Sequence, residues 1–361
     1  MSHAAAFSPD YTAARARFRS SSLALGAGLE EHPIGQRGPE GEELTIDVAR
    51  LGADDARRVL VISSGLHGVE GFLGSAVQAA LLEEELGGWR PPRGAALVLI
   101  HALNPYGYAW IRRVNEDNVD LNRNFLLPDQ AYRGAPERYP ELDPFFNPPR
   151  RPSTLEPFKL KAAALIARNG LAALKETLPV GQYEYPKGLF FGGAGPSRTL
   201  QILDGHLGRW IGAAEQVLHL DFHSGLGPWA TYKLFLNREL DDPRSQWLSD
   251  VFGDDVVEAW DPGATSYAIR GGMGTWCRHR FPDTAYDQLT AEFGTYHILR
   301  VVEALRRENM AHFWAREGDT AIPRAKANLK ETFAPSEIDW RERVVEQGLD
   351  VVQKGLEACF G

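Results

Sequence analysis

Cysteine is nearly absent from this chain. Among 361 residues there are two, Cys277 and Cys359, too few for a disulfide framework or a thiolate zinc site. Basic charge is in deficit: 39 Lys and Arg stand against 48 Asp and Glu, a formal net charge of -9. No dense Lys/Arg run offsets that balance, so a nucleic-acid partner is not expected. Long apolar runs are missing. Nothing reaches the roughly 20 residues needed to span a bilayer, and the opening segment MSHAAAFSPDYTAARARF has no apolar stretch of the signal-peptide kind. Internal repeats and low-complexity tracts are missing too. These absences lead to the expectation of a soluble, cytoplasmic protein with no membrane partner.

What remains is 43% hydrophobic and 24% charged, ample for a sizeable core. With no clear boundary, the reading is one domain: a core over about residues 44–310, an insertion over about 126–200, and a helical closure over about 316–361. Glu43 to Leu51 alternates apolar and polar as a strand does. Val59 to Ile62 is a short β-branched run, and the apolar periodicity from Val69 to Leu86 predicts a helix ending at Gly87-Gly88. Ala95 to His101 is apolar throughout, as a strand covered on both faces would be. Strand, helix, strand at this spacing predicts an α/β fold, with a mixed, mostly parallel sheet flanked by helices. Helices are also expected over Tyr11 to Ala27, Leu155 to Leu178, Leu200 to Ala214 and Ile338 to Ala358. Strands are expected over Gln216 to Phe222 and Thr231 to Leu236. The segment YDQLTAEFGTY predicts a strand, then a helix to about Ala315.

Ligands of such sheets bind beyond the carboxyl ends of the strands, and chemistry-bearing residues collect there. In SSGLHGVEG, His67 and Glu70 stand three apart after the strand, a spacing that puts both on one side of a first helical turn. An imidazole and a carboxylate so placed can supply two of the three protein ligands of a catalytic zinc. In DFHSGLG, His223 follows an apolar run and precedes a glycine turn, and is the candidate third ligand. His101 and His219 sit inside strand patterns and are expected to face the core or the sheet surface. The segment NPYGYAWIRRVNEDNVDLNRNF is unusually polar for one that follows a buried strand. Arg113 or Arg112 could polarise a carbonyl. Asn122 with Arg123 could hold a carboxylate, and Asp120 could orient a metal-bound imidazole. Glu292, in LTAEFGTY, closes a strand in an apolar setting and is the candidate general base.

The order HxxE, Arg, Asp-x-Asn-Arg, His-Ser, Tyr-x-x-x-Gly-Gly, Thr-x-Glu resembles the zinc carboxypeptidases of the M14 type. More narrowly, GLHGVEGFLGS, NVDLNRNF and DFHSGLG are similar to segments of their bacterial carboxypeptidase-like relatives, DUF2817. The aspartoacylase and succinylglutamate desuccinylase branch shares the NP…R…DLNR arrangement. The resemblance covers about residues 44–310. It implies one Zn2+ per chain on His67, Glu70 and His223, with Asp120 behind His67, Arg113 at the carbonyl and Glu292 as base. It implies Asn122 and Arg123 on a terminal carboxylate, Tyr267 as a mobile tyrosine closing over substrate, and Gly274 in the side-chain pocket, where glycine suggests a roomy or apolar site. The implied substrate is a small peptide or an N-acyl amino acid. Gly225 departs from the aromatic residue often found two after the third ligand. The longer stretch between Phe125 and His223 is expected to shape the mouth of the site, with Tyr183, Tyr185 and Phe190 as rim or core aromatics.

Overall fold

The computed structural model describes residues 2–170, 177, 179–238, 241–259 and 269–361. The strands are β1 (Gly28–Arg37), β2 (Glu43–Gly52), β3 (Arg58–Ser64), β4 (Ala95–His101), β5 (Gln216–Ser224), β6 (Tyr232–Leu236), β7 (Val257–Ala259) and β8 (Ala285–Phe293). They form one eight-stranded sheet in the order β1-β2-β4-β3-β5-β8-β6-β7. The middle of it, β4-β3-β5-β8, is parallel, while β1, β2 and β6 pair antiparallel. This is a single α/β domain with a mixed, mostly parallel sheet.

Two layers of helices explain why the central strands are apolar on both faces. Along β3, Leu60 and Ile62 face one layer, where they meet Leu73 and Val77 of the helix Gly71–Ala80 and Trp340 and Val344 of the closing helix (Ile338–Phe360). Val59 and Val61 face the other, with Leu203 and Trp210 from Arg198–Ile211 and Trp276 from Met273–Arg280. Successive side chains of a strand point to opposite faces, so a strand covered twice needs an unbroken apolar run. His101 and His219 are both buried in this core, and burial pushes each down to about 4, which keeps the imidazoles neutral.

The expected helix from Val69 to Leu86 starts with a single 3-10 turn at Gly68–Glu70 and loosens into a π turn at Leu81–Glu85. β1 was not anticipated. Its sequence, GLEEHPIGQR, has no clean alternation and includes Pro33; it lies at the sheet edge, where a proline costs no ladder bond. The stretch 126–200 includes the helix expected over Leu155 to Leu178, of which residues 171–176 and 178 lie outside the described residues. It holds the short helix Tyr139–Phe146, which tolerates Pro144 in its interior, and the helix Phe158–Asn169. Both pack toward the helix Ile298–Trp314 through Phe146, Val301 and Leu305. Among the described residues, no helix is long and apolar enough to cross a membrane.

Candidate metal centre

Three strand ends build the site. β3 stops at Ser64 and the chain turns into Gly68–Glu70, setting His67 and Glu70 just beyond the sheet. β5 carries His223 at its own end, and β8 carries Glu292 directly beside it, since His223 and Glu292 are register partners in the parallel ladder.

His67 Nδ1, His223 Nδ1 and the Glu70 carboxylate converge. Glu70 Oε1 lies 3.0 Å from His67 Nδ1, Glu70 Oε2 lies 2.9 Å from His223 Nδ1, and the two ring nitrogens are 3.2 Å apart. Ligand atoms around a tetrahedral zinc, at bond lengths near 2.0–2.2 Å, stand about 3.3 Å from one another. The three side chains are buried, and among the described residues they form the one group of three or more His, Cys, Asp or Glu that could hold an ion. The donor set therefore fits a divalent metal on chemistry as well as spacing.

Each imidazole has a carboxylate at its back. His67 Nε2 lies 3.1 Å from Asp120 Oδ1, and His223 Nε2 lies 2.6 Å from Asp221 Oδ2. A proton held on Nε2 leaves the Nδ1 lone pair directed inward, the tautomer a metal requires. Asp221 also accepts a 2.5 Å hydrogen bond from Ser63 Oγ, and Ser63 Oγ lies 2.7 Å from His219 Nε2. Burial works against the charged forms of Asp120 and His223, yet the pairing prevails. Asp120 is held well below the usual carboxylate range by Arg123, Arg113 and His67, and His223 well above the usual imidazole range by Asp221 and Glu70.

Arg113 is the arginine of this centre. Its Nη1 lies 2.7 Å from Glu70 Oε1, its Nη2 2.8 Å from His67 Nε2 and its Nε 3.3 Å from Asp120 Oδ2. Arg112, the alternative, is corrected out of the site. It points the other way, fully buried, with Nε on Glu308 Oε1 at 2.9 Å and Nη2 on Asn118 Oδ1 at 3.1 Å. Neighbouring residues of an irregular loop take opposite directions, which spacing alone does not reveal. Gly274 is also corrected. It sits in Met273–Arg280, and a Cβ there would lie 2.2 Å from Asn237 Nδ2 and 2.3 Å from Gln288 Oε1. Its glycine makes room for that contact and does not open the cavity over the metal centre. Tyr267 lies outside the described residues.

Asn122 and Arg123 line the cavity but are firmly built in. Asn122 Oδ1 accepts from Met273 N at 3.2 Å, and Arg123 Nε donates to the Pro179 carbonyl at 2.8 Å. Phe190 lies beneath both guanidiniums, 5.7 Å from that of Arg113 and 5.6 Å from that of Arg123. Tyr183 is buried and donates to the Arg123 carbonyl at 2.7 Å, so it braces the site from behind. At Gly225, φ is +128° and the Phe333 ring lies 2.7 Å from where a Cβ would stand; a larger residue is excluded there.

Glu292 Oε1 accepts from Leu226 N at 2.9 Å. Its carboxyl is raised to about 7, first by burial and then by the nearby Glu70 charge, against the opposing pull of His223. A bound dication would draw it back down. Asp221 was not singled out from the sequence, and Phe190 was named there only as a rim or core aromatic. For Asp221 the signal was there: on a strand, residues two apart share a face, so Asp221 and His223 had to point together.

A buried His-Glu-His constellation at the carboxyl ends of parallel strands defines an α/β protein with a candidate metal centre. Residues 7–347 match the family described as "Protein of unknown function (DUF2817)", and the chain belongs to it. No curated protein sequence matches the chain. Among solved structures it is similar to carboxypeptidase A from Helicoverpa armigera (14% identity, 90% of this chain, 74% of that one, TM-score 0.46). It is also similar to bovine thrombin-activatable fibrinolysis inhibitor in complex with tick carboxypeptidase inhibitor (12%, 95% and 97%, TM-score 0.44). A third is an aspartoacylase family protein from Mesorhizobium loti (14%, 81% and 68%, TM-score 0.37). Likeness at this level concerns the course of the chain and not its reaction.

Proposed function

We propose that this chain is a zinc-dependent hydrolase that cleaves an amide bond next to a free carboxylate. The observation that carries the reading is the convergence of His67 Nδ1, His223 Nδ1 and Glu70 within hydrogen-bond distances of one another, with Glu292 on the adjoining strand. Two imidazoles, one carboxylate and an open side suit zinc, although other first-row ions accept such a set. Bound there, the metal would polarise the scissile carbonyl and acidify a water.

The protein's own groups would do the rest. Glu292, on the strand adjoining His223, takes the proton of the attacking water and returns it to the leaving amine. Asp120 and Asp221 hold the two imidazoles in the required tautomer. Once His67 Nε2 donates to Asp120 it no longer accepts from Arg113, whose Nη2 hydrogen then serves the developing oxyanion. Asn122 and Arg123 receive the free carboxylate. Carboxypeptidase-like cleavage of a small peptide and deacylation of an N-acyl amino acid would use the same machinery.

The test has two arms. Metal content is measured for the wild type beside His67→Ala and His223→Ala, with about one zinc expected in the first and a loss in both variants. Turnover is measured for Glu292→Gln on a panel of dipeptides and N-acyl amino acids. We expect full metal content and a rate lower by at least about a hundredfold. A zinc-loaded Glu292→Gln that keeps wild-type turnover would overturn the base assignment.

A further inference from the structure

The cavity over the metal centre has a volume of about 320 Å3 and is divided by polarity. Among the described residues, every charged one that lines it belongs to the centre already described: His67, Glu70, Arg113, Arg123, His223 and Glu292. The outer walls come from three helices. Tyr139–Phe146 gives Phe145 and Phe146. Phe158–Asn169 gives Phe158, Ala162, Leu165 and Ile166. Ile298–Trp314 gives Ile298, Leu299, Val301, Val302 and Leu305. None of these side chains carries a hydrogen-bonding group, and at the helix ends, where backbone groups lack intrahelical partners, the N–H groups of Phe158, Leu299 and Val301 donate to the Glu156 carbonyl, His297 Nδ1 and the His297 carbonyl, while the Phe145 and Ile166 carbonyls accept from Arg306 Nε and Gly170 N. Ile298, which contributes to the cavity, is 43% exposed, so the apolar character reaches the surface there.

A peptide threaded along these walls would lose water from an N–H and a C=O at every residue and find no partner for either. Each such loss weakens binding. A hydrocarbon chain gives up no hydrogen bonds and gains on burial. We propose that the apolar part of the cavity is an acyl-chain site. On the reading above, on which this rests, the substrate class is then N-acyl amino acids with a medium to long aliphatic acyl group. Hydrolysis adds water across the amide. The C–N bond breaks, the hydroxyl goes to the acyl carbon to give a fatty acid, and a proton goes to the nitrogen to free the amino acid. The acyl chain lies along the helical walls while the amino acid's carboxylate meets Asn122 and Arg123.

The test uses straight-chain fatty acids of six to twelve carbons, the products of that reaction, titrated into the zinc-loaded wild type and into Ala162→Phe, whose larger ring intrudes on the cavity. The expected result is one site per chain, with affinity rising about three- to fourfold per added methylene until the cavity is filled, and a series that flattens in Ala162→Phe. Affinity independent of chain length in the wild type, or a length dependence untouched by Ala162→Phe, would overturn the acyl site. If Ala162→Phe does not fold, Leu165→Phe on the same wall takes its place. A parallel assay compares hydrolysis of N-acetyl and N-dodecanoyl amino acids with that of dipeptides. Chain-dependent binding without hydrolysis of any amide would overturn the proposed function and leave the acyl site standing. Hydrolysis of dipeptides with no effect of acyl length would do the reverse.

Discussion

At the scale of single residues, the second carboxylate of the centre is the most informative. Asp221 holds the outer nitrogen of His223 at 2.6 Å and is itself fixed by Ser63. Asp221→Asn is expected to keep the fold and to weaken zinc binding by about ten- to a hundredfold, read by competition with a chelator of known affinity. Unchanged affinity would remove Asp221 from the site. A second residue-scale expectation concerns acid. Glu156 is drawn down to about 2, chiefly by hydrogen bonds from Arg306 and against the effect of burial, with Lys161 adding to the pull. The pair is bidentate, at 2.8 and 2.9 Å, and Arg306 is buried. A carboxyl with a lowered folded pKa contributes stability above its ordinary value near 4.3, and loses it as pH falls from there toward 2. Glu156→Gln is expected to cost on the order of 2 kcal/mol at pH 7 and to flatten the acid limb of the stability profile, measured by denaturant unfolding at several pH values. What could be read at this scale was whatever a short spacing constrains. His67 and Glu70, three apart in one turn, were readable, and so was His223 at the end of an apolar run. Arg112 and Arg113 were not separable, because an irregular loop has no period. Gly274 rested on a spacing carried over by resemblance, and Asn237 and Gln288 fill the space assigned to it.

At the scale of elements, the site depends on how closely two turns approach. Gly68, in the turn that presents Glu70, packs against Gly107 of the short helix Pro105–Ala109, and a Cβ on Gly68 would stand 2.1 Å from the Gly107 carbonyl carbon. The same contact is laced by Gly68 N to the Arg113 carbonyl at 3.0 Å and Val69 N to the Arg112 carbonyl at 2.8 Å. It brings Arg113 alongside Glu70. Gly68→Ala is expected to destabilise by about 1–3 kcal/mol through overpacking and to lower metal affinity with it, read by denaturant unfolding and zinc titration together. A stable variant with native affinity would show that the two turns can separate without loss. The central strands were legible because double coverage forces an apolar run, and β4 (Ala95–His101) matches its expected bounds at both ends. β1 and the helix Tyr139–Phe146 were not legible, for the edge position of one and the internal proline of the other conceal the usual patterns. Tertiary packing, not local propensity, makes them regular.

At the scale of the whole molecule, the α/β architecture followed from the strand-helix-strand spacing, whereas the cavity walls did not, since they join helices from residues 139–169 and 298–314 that no local pattern connects. Loading the centre should stabilise the whole domain. A metal at a hundred times its dissociation constant adds about 2.7 kcal/mol if it binds only the folded chain. Thermal unfolding of the zinc-loaded protein should therefore occur several degrees higher than after chelation, and His67→Ala should show no such difference. An equal response in His67→Ala would mean that the ion acts elsewhere. The two imidazoles that meet at 3.2 Å are 156 residues apart in the chain. A polypeptide growing from the ribosome has made His67 and Glu70 long before His223 exists, and through that interval it can offer an ion only two of the three candidate ligands. On the proposed reading of the centre, loading is then a late event in the protein's biogenesis, and an unfinished chain would be a poor competitor for the ion.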